Sequence, residues 1–62
     1  MTTAERVLEI REEKINNGDI FGIAEIISMY HYEADYDGDD EIIRFEDGSM
    51  LRCSDDDIAL YQ

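Results

Sequence analysis

SMYHYEADYDGDDEIIRFEDGSMLRC, residues 28–53, is the stretch whose reading decides the fold. In its first third the apolar period is two. Tyr30, Tyr32, Ala34 and Tyr36 share one face, and Met29, His31, Glu33 and Asp35 share the other. That is the alternation of a half-buried β-strand, and aromatic side chains favour strands. Two shorter runs follow, EIIRF and SMLRC, with Asp37-Gly38 and Glu46-Asp47-Gly48 as the turn residues between runs.

Turn length can be tested against the faces. A two-residue Asp47-Gly48 loop would set Phe45 beside Met50 and Ile43 beside Arg52, mixing apolar and charged side chains. A three-residue loop with Gly48 left-handed, the bulged hairpin form, sets Ile43 opposite Leu51 and keeps Phe45 and Cys53 on the same face. Arg44 and Arg52 then share the opposite face, so this second register is expected. For the first hairpin, a loop at Asp37-Gly38 pairs Tyr32 with Ile43 and Tyr30 with Phe45. The three strands then agree on one buried face: Tyr30, Tyr32, Ala34, Ile43, Phe45, Leu51 and Cys53. The other face carries His31, Glu33, Arg44 and Arg52, whose cross-strand pairs contribute up to about 1 kcal/mol each.

Working outward, Thr2-Thr3-Ala4-Glu5 has the spacing of a capping box and starts a helix through about Ile15. Ala4, Leu8, Arg11 and Ile15 follow helical spacing, with Val7 flanking. Asn16-Asn17-Gly18 stops it, because these residues accept the left-handed conformation that ends helices. Asp19 can cap a second short helix over IFGIAEII, with Ile20, Ile23, Ala24 and Ile27 on one face. Gly22 and the run of isoleucines leave a strand as the alternative for 19–27. Ser54 followed by Asp55, Asp56 and Asp57 reads as the N-terminus of a short C-terminal helix, DIALYQ, which folds Ile58 and Tyr61 back onto the sheet. The expected fold is therefore α+β. An N-terminal helical segment packs on a three-stranded antiparallel meander, with a short C-terminal helix, in one domain spanning 1–62.

Sixty-two residues give a thin interior, since a chain of this size buries only about 60% of its unfolded surface. That favours a binding or inhibitory module over an enzyme. Hydrophobic residues make up 44% of the chain, enough to argue for a folded core. Seventeen Asp and Glu against five Lys and Arg give a net charge of −12. Such a surface repels phosphate backbones and anionic membranes, so neither nucleic acid nor lipid is expected as a direct partner. It attracts cations and basic proteins. A lone cysteine, Cys53, points to a reducing compartment. The N-terminal stretch lacks the apolar core of a signal peptide, so a cytoplasmic location is expected.

Residues 35–46, DYDGDDEIIRFE, resemble the twelve-residue calcium loop of the EF-hand family. Asp35, Asp37 and Asp39 alternate around Gly38, and Ile42 stands where that loop has its β-bridge residue. The resemblance implies calcium coordination by these three carboxylates, by the Glu41 carbonyl and by Glu46 as bidentate ligand. The sequence departs from the family at Asp40, where the loop has glycine, and at Asp47-Gly48, where a helix should continue. The turn-and-strand reading is preferred, and no cofactor is assigned.

Other chemistry is poorly supplied. One histidine and one cysteine are too few for a zinc site of thiolates and imidazoles. Strand parity sets His31 and Cys53 on opposite faces, so they cannot act as a nucleophilic pair. His31 reads as a cross-strand partner of Arg44 and Cys53 as a small core residue. The glycines are isolated turn glycines rather than a phosphate cradle.

Charge distribution is more informative. Eleven of the seventeen acidic residues lie between Glu33 and Asp57. In a meander the first turn and the start of the last segment lie at one end of the sheet. Glu33, Asp35, Asp37, Asp39, Asp40, Glu41, Asp55, Asp56 and Asp57 should gather towards that end as a partner-binding ridge. Acidity also serves solubility, at the expense of self-repulsion. In length, acidity and helix-plus-meander pattern the chain resembles, by type, the small inhibitors that phages encode against host defence, anti-CRISPR and anti-restriction nucleic-acid mimics. The resemblance implies a host nucleic-acid-binding protein or nucleoprotein effector as partner, and occlusion of its basic surface as mechanism. A structural or adaptor protein that forms a homodimer through an exposed sheet edge is a further alternative.

Overall fold

The computed structural model describes residues 1–19, 22–55 and 57–61. Helix α1, Thr3–Asn16, starts at the expected capping box: the Glu5 amide donates to Thr2 Oγ1 and the Thr2 amide donates to Glu5 Oε1. It ends in a Schellman motif, with Gly18 at φ 73°, the Asp19 amide donating to the Lys14 carbonyl and the Gly18 amide to the Ile15 carbonyl. Its buried stripe centres on Ala4 and Val7, with Leu8 and Ile10 at the margin. Ile15, expected on that stripe, is exposed in the last turn of the helix.

The second helix, α2, spans Ile23–Ile27 and settles the helix-or-strand alternative for those residues. Its N-cap is Gly22 rather than Asp19, and no side chain caps it. Ile26 and Ile27 are buried, Ile23 packs at the core margin and Ala24 is exposed. The expectation for Ile20 lies outside the described residues.

Four strands form one antiparallel sheet in the order β1 (Tyr32–Asp37), β2 (Asp40–Phe45), β3 (Met50–Cys53) and β4 (Ile58–Tyr61). The β2–β3 register is the expected one, Ile43 opposite Leu51, around a loop with Gly48 at φ 88°. The β1–β2 register differs by two residues: Tyr32 pairs with Phe45 and Ala34 with Ile43. The loop is Gly38-Asp39 rather than Asp37-Gly38. Gly38 takes the positive φ of 66° at the first central position, and among the described residues no non-glycine has a positive φ. That is the type II′ preference, whereas a turn centred on Asp37-Gly38 would force Asp37 into the left-handed region. A shift of two preserves parity, so the expected faces stand.

The expected C-terminal helix is a strand. β4 pairs with β3 through Cys53–Ile58, Arg52–Ala59, Leu51–Leu60 and Met50–Tyr61. A helix of one or two turns carries the full nucleation penalty with few hydrogen bonds to offset it, while β3 would be left with an unpaired edge. IALY also alternates correctly, with Ile58 and Leu60 on the face of Leu51. Ser54 and Asp57 close the hairpin instead of capping a helix: the Ser54 amide donates to the Asp57 carbonyl and the Ile58 amide to Asp57 Oδ1.

The helices cover one face of the sheet, α1 lying against α2 and over β4. Val7, Ile26, Ile27, Ile43, Phe45 and Leu51 form the core with Ala4. Tyr30 precedes β1 but still reaches this core, edge-on to Phe45 at 6.0 Å. Tyr32 and Ala34 were expected inside and are exposed, as is every residue of β1. The helical layer is too short to reach the outermost strand.

One tie between helix and sheet is absent from any local pattern. Asp47 Oδ2 accepts from the Thr3 amide at 2.8 Å, and Ser49 Oγ accepts from the Ala4 amide at 3.0 Å. Asp47 Oδ1 in turn accepts from the Ser49 amide and hydroxyl. The β2–β3 turn thus satisfies two of the orphan amides of α1, and Thr2 satisfies a third. Hydrogen bonds from Ser49 and Thr3 hold the Asp47 carboxyl well below the usual carboxylate range. A carboxylate whose folded pKa is depressed contributes stability above its unfolded pKa and loses it as pH falls towards the folded one. Between about pH 4 and pH 2 the native chain should therefore lose more stability than Asp47→Asn, which keeps an acceptor but has no charge to lose. Parallel loss in both chains, in thermal melts across that range, would remove Asp47 as the source.

Candidate functional site

Antiparallel strands alternate in direction, so the β1–β2 and β3–β4 turns lie at the same end of the sheet. Glu41 pairs with Cys53 as the last pair of β2 and β3 on that side. Asp40 and Ser54 come next. Asp37, Asp39, Asp40, Asp55 and Asp57 are therefore brought together at one end. Asp56 lies outside the described residues. Glu33 and Asp35 run back from this end along β1, on the sheet face opposite the helices. Glu41 points to the helical side, beside Cys53 on the neighbouring strand. Burial, aided by the Glu41 carboxylate, pushes the Cys53 thiol up, so it stays protonated and unreactive near neutrality.

Two arginines thread the open face. Arg44 lies 3.9 Å from Glu33 Oε2 and 3.4 Å from Asp35 Oδ2. Arg52 donates from Nε to Asp40 Oδ2 at 2.7 Å and from Nη2 to Asp37 Oδ2 at 3.3 Å. Its guanidinium carbon also lies 5.7 Å from the centre of the Tyr61 ring. Arg52 thus joins the first turn to β3 and β4. The carboxylates of β1 are engaged only from within, since Glu33 and Asp35 remain 81% and 67% exposed at the side chain. Among the described residues, Asp39, Glu41, Asp55 and Asp57 carry no ion pair.

This distribution has a direct consequence for stability. Replacing Arg52 by glutamine leaves Asp37 and Asp40 uncompensated beside Asp39, Asp55 and Asp57. Its melting temperature should fall most at low salt and recover towards the parent as salt is raised, because screening acts over about 10 Å at 0.1 M. A salt-independent deficit would instead assign the role of Arg52 to packing on Tyr61.

The same geometry separates the calcium-loop residues. Asp35 and Asp37 lie on β1, Asp39 in the turn, and Glu41 faces the other side of the sheet. Glu46 lies six residues beyond Asp40, about 20 Å away along an extended strand. Calcium oxygens sit at roughly 2.3–2.6 Å from one ion, so Glu46 cannot close this set. Among the described residues no group of three or more His, Cys, Asp and Glu side chains is arranged to hold a metal ion. His31 precedes β1 and lies towards the β2–β3 turn, with Cys53 at the far end of the sheet. A shallow depression of about 370 Å³ is lined by His31, Tyr32, Glu33, Arg44, Phe45 and Glu46. It opens beside the first residues of β1.

The exposed tyrosines of β1 and the Arg52–Tyr61 contact were missed from sequence, because both depend on where the helices stop and on β4 being a strand. Alternation in IALY was the available signal for the latter. No described helix is long and apolar enough to cross a membrane. Comparison of the chain with protein-family models, with curated proteins and with solved structures finds no match.

Proposed function

We propose that this protein is an inhibitor that docks its acidic end on the basic nucleic-acid-binding surface of another protein and occludes it. The observation that carries this reading is the charge layout at that end. Glu33, Asp35 and Asp37 repeat on one strand face at about 6.5–7 Å, a spacing of the same order as successive phosphates along a nucleic-acid strand. The row runs into Asp39 and Asp40 and is joined by Asp55 and Asp57. Only Arg44 and Arg52 oppose it. Self-repulsion of this kind works against a small fold, and a basic partner would relieve it while gaining a fast, salt-sensitive encounter. By type this is the chemistry of phage-encoded mimics directed at host defence proteins.

The test is competition. The immobilised chain should retain, at low salt, a basic nucleic-acid-binding protein from host lysate, and the free chain should displace nucleic acid from that purified partner. A captured protein that binds its nucleic acid and this chain at the same time would overturn the reading, as would failure to retain any such protein.

A further inference from the structure

We infer that the free edge of β1 is a docking site for an extended segment of a partner protein in which Lys or Arg alternates with bulky apolar residues, added antiparallel as a fifth strand. The Phe45 amide donates to the Ser49 carbonyl, and the Phe45 carbonyl accepts from the Gly48 amide. Phe45 therefore directs both main-chain groups towards β3. Its cross-strand partner Tyr32 is consequently in a non-hydrogen-bonded pair with it, and the Tyr32 amide and carbonyl point away from β2. By the period of two, Ala34 and Tyr36 do the same. Three amides and three carbonyls are left open at a sheet edge.

Side chains then specify the occupant. On the helical side of β1, Tyr32 is 46% and Tyr36 76% exposed, and no helix covers them. Ala34 between them leaves a notch into which a bulky apolar side chain of an added strand would fit. On the other side stand Glu33, Asp35 and Asp37, mostly exposed. A second copy of this chain is excluded by the same charges: edge-to-edge pairing of two β1 strands would set carboxylates against carboxylates on one face. Basic residues in alternate positions satisfy that row, and the intervening residues cover the tyrosines. Main-chain hydrogen bonds supply affinity and the alternation supplies selectivity. With the proposed function this inference shares the basic character of the partner and the Glu33, Asp35 and Asp37 row; the main-chain edge and the exposed tyrosines belong to it alone.

The probe is a capped seven-residue peptide alternating lysine and valine, titrated into the intact ¹⁵N-labelled chain. Amide shifts should centre on Tyr32, Ala34 and Tyr36. In antiparallel addition the valine amides face the edge. N-methylation of the valines should weaken binding about tenfold or more, as loss of several main-chain hydrogen bonds requires, while N-methylation of the lysines should not. Ala34→Pro should have the same effect as valine methylation. It removes an outward amide without breaking a bond to β2, and proline is tolerated on edge strands. A melting curve checks that this variant folds, and the methylated peptides need no variant at all. Binding indifferent to both methylations, with shifts centred on Asp39, Asp55 and Asp57, would overturn strand addition and leave the acidic-end reading intact. No binding at low salt, or a β1-centred dimer of the chain itself, would also overturn it.

Discussion

Replacing Leu51 by alanine is expected to leave the chain close to its unfolding midpoint at 25 °C. Leu51 is fully buried, at the centre of β3 between Ile43 and β4. Truncating a buried leucine costs about 2–5 kcal/mol, through lost transfer free energy and the cavity left behind. A domain of this length holds only about 3–9 kcal/mol in total, and the acidic end works against that sum. Leu60 is the matched control. It sits opposite Leu51 on the same face but is 43% exposed, so Leu60→Ala should cost much less. Urea titrations of both variants decide the matter. Equal losses would mean that β4 carries as much of the packing under the helices as β3.

The contrast between these two leucines shows where sequence reasoning reaches its limit. Leu51 was identifiable as core because turn chemistry at Gly48 and the apolar pattern agreed on one register for β2 and β3. The capping box at Thr2 and the stop at Gly18 were equally readable, since each is decided within five residues. The first hairpin was read one turn position out of place. Whether Gly38 sits first or second in the turn depends on which neighbour can tolerate a positive φ, and parity alone is blind to a shift of two. The last segment was misread because Ser54 and Asp57 satisfy a helix N-terminus and a hairpin turn equally well. The open edge of β3 decided between them, and that is a long-range fact. Tyr32 and Ala34 show the same dependence: their alternation is that of a buried strand, and only the reach of the helices leaves them in water. For the acidic end, topology could be inferred because any meander returns its turns to alternate ends. The pairing of individual carboxylates could not, since Arg44 and Arg52 choose among several neighbours by side-chain geometry.

That pairing determines which charges are worth removing. Asp40 and Asp37 are tied to Arg52, so neutralising them breaks a structural contact as well as deleting charge. Among the described residues Asp39, Asp55 and Asp57 carry no ion pair, and Asp57→Asn keeps the oxygen that accepts from the Ile58 amide. The triple variant Asp39→Asn, Asp55→Asn, Asp57→Asn lowers the net charge from −12 to −9 by removing three carboxylates. Two effects of opposite sign are expected from it. Affinity for the basic partner should fall on the order of 10–100-fold at low salt, mostly through the on-rate, with a shallower salt dependence. Melting temperature should stay level or rise, because like charges at one end of a small sheet repel. Charge retained only for solubility would give the second effect without the first. Surface plasmon resonance at two salt concentrations, beside a thermal melt, separates these cases. Unchanged association in the triple variant would remove the acidic end from the mechanism, whatever became of the β1 edge.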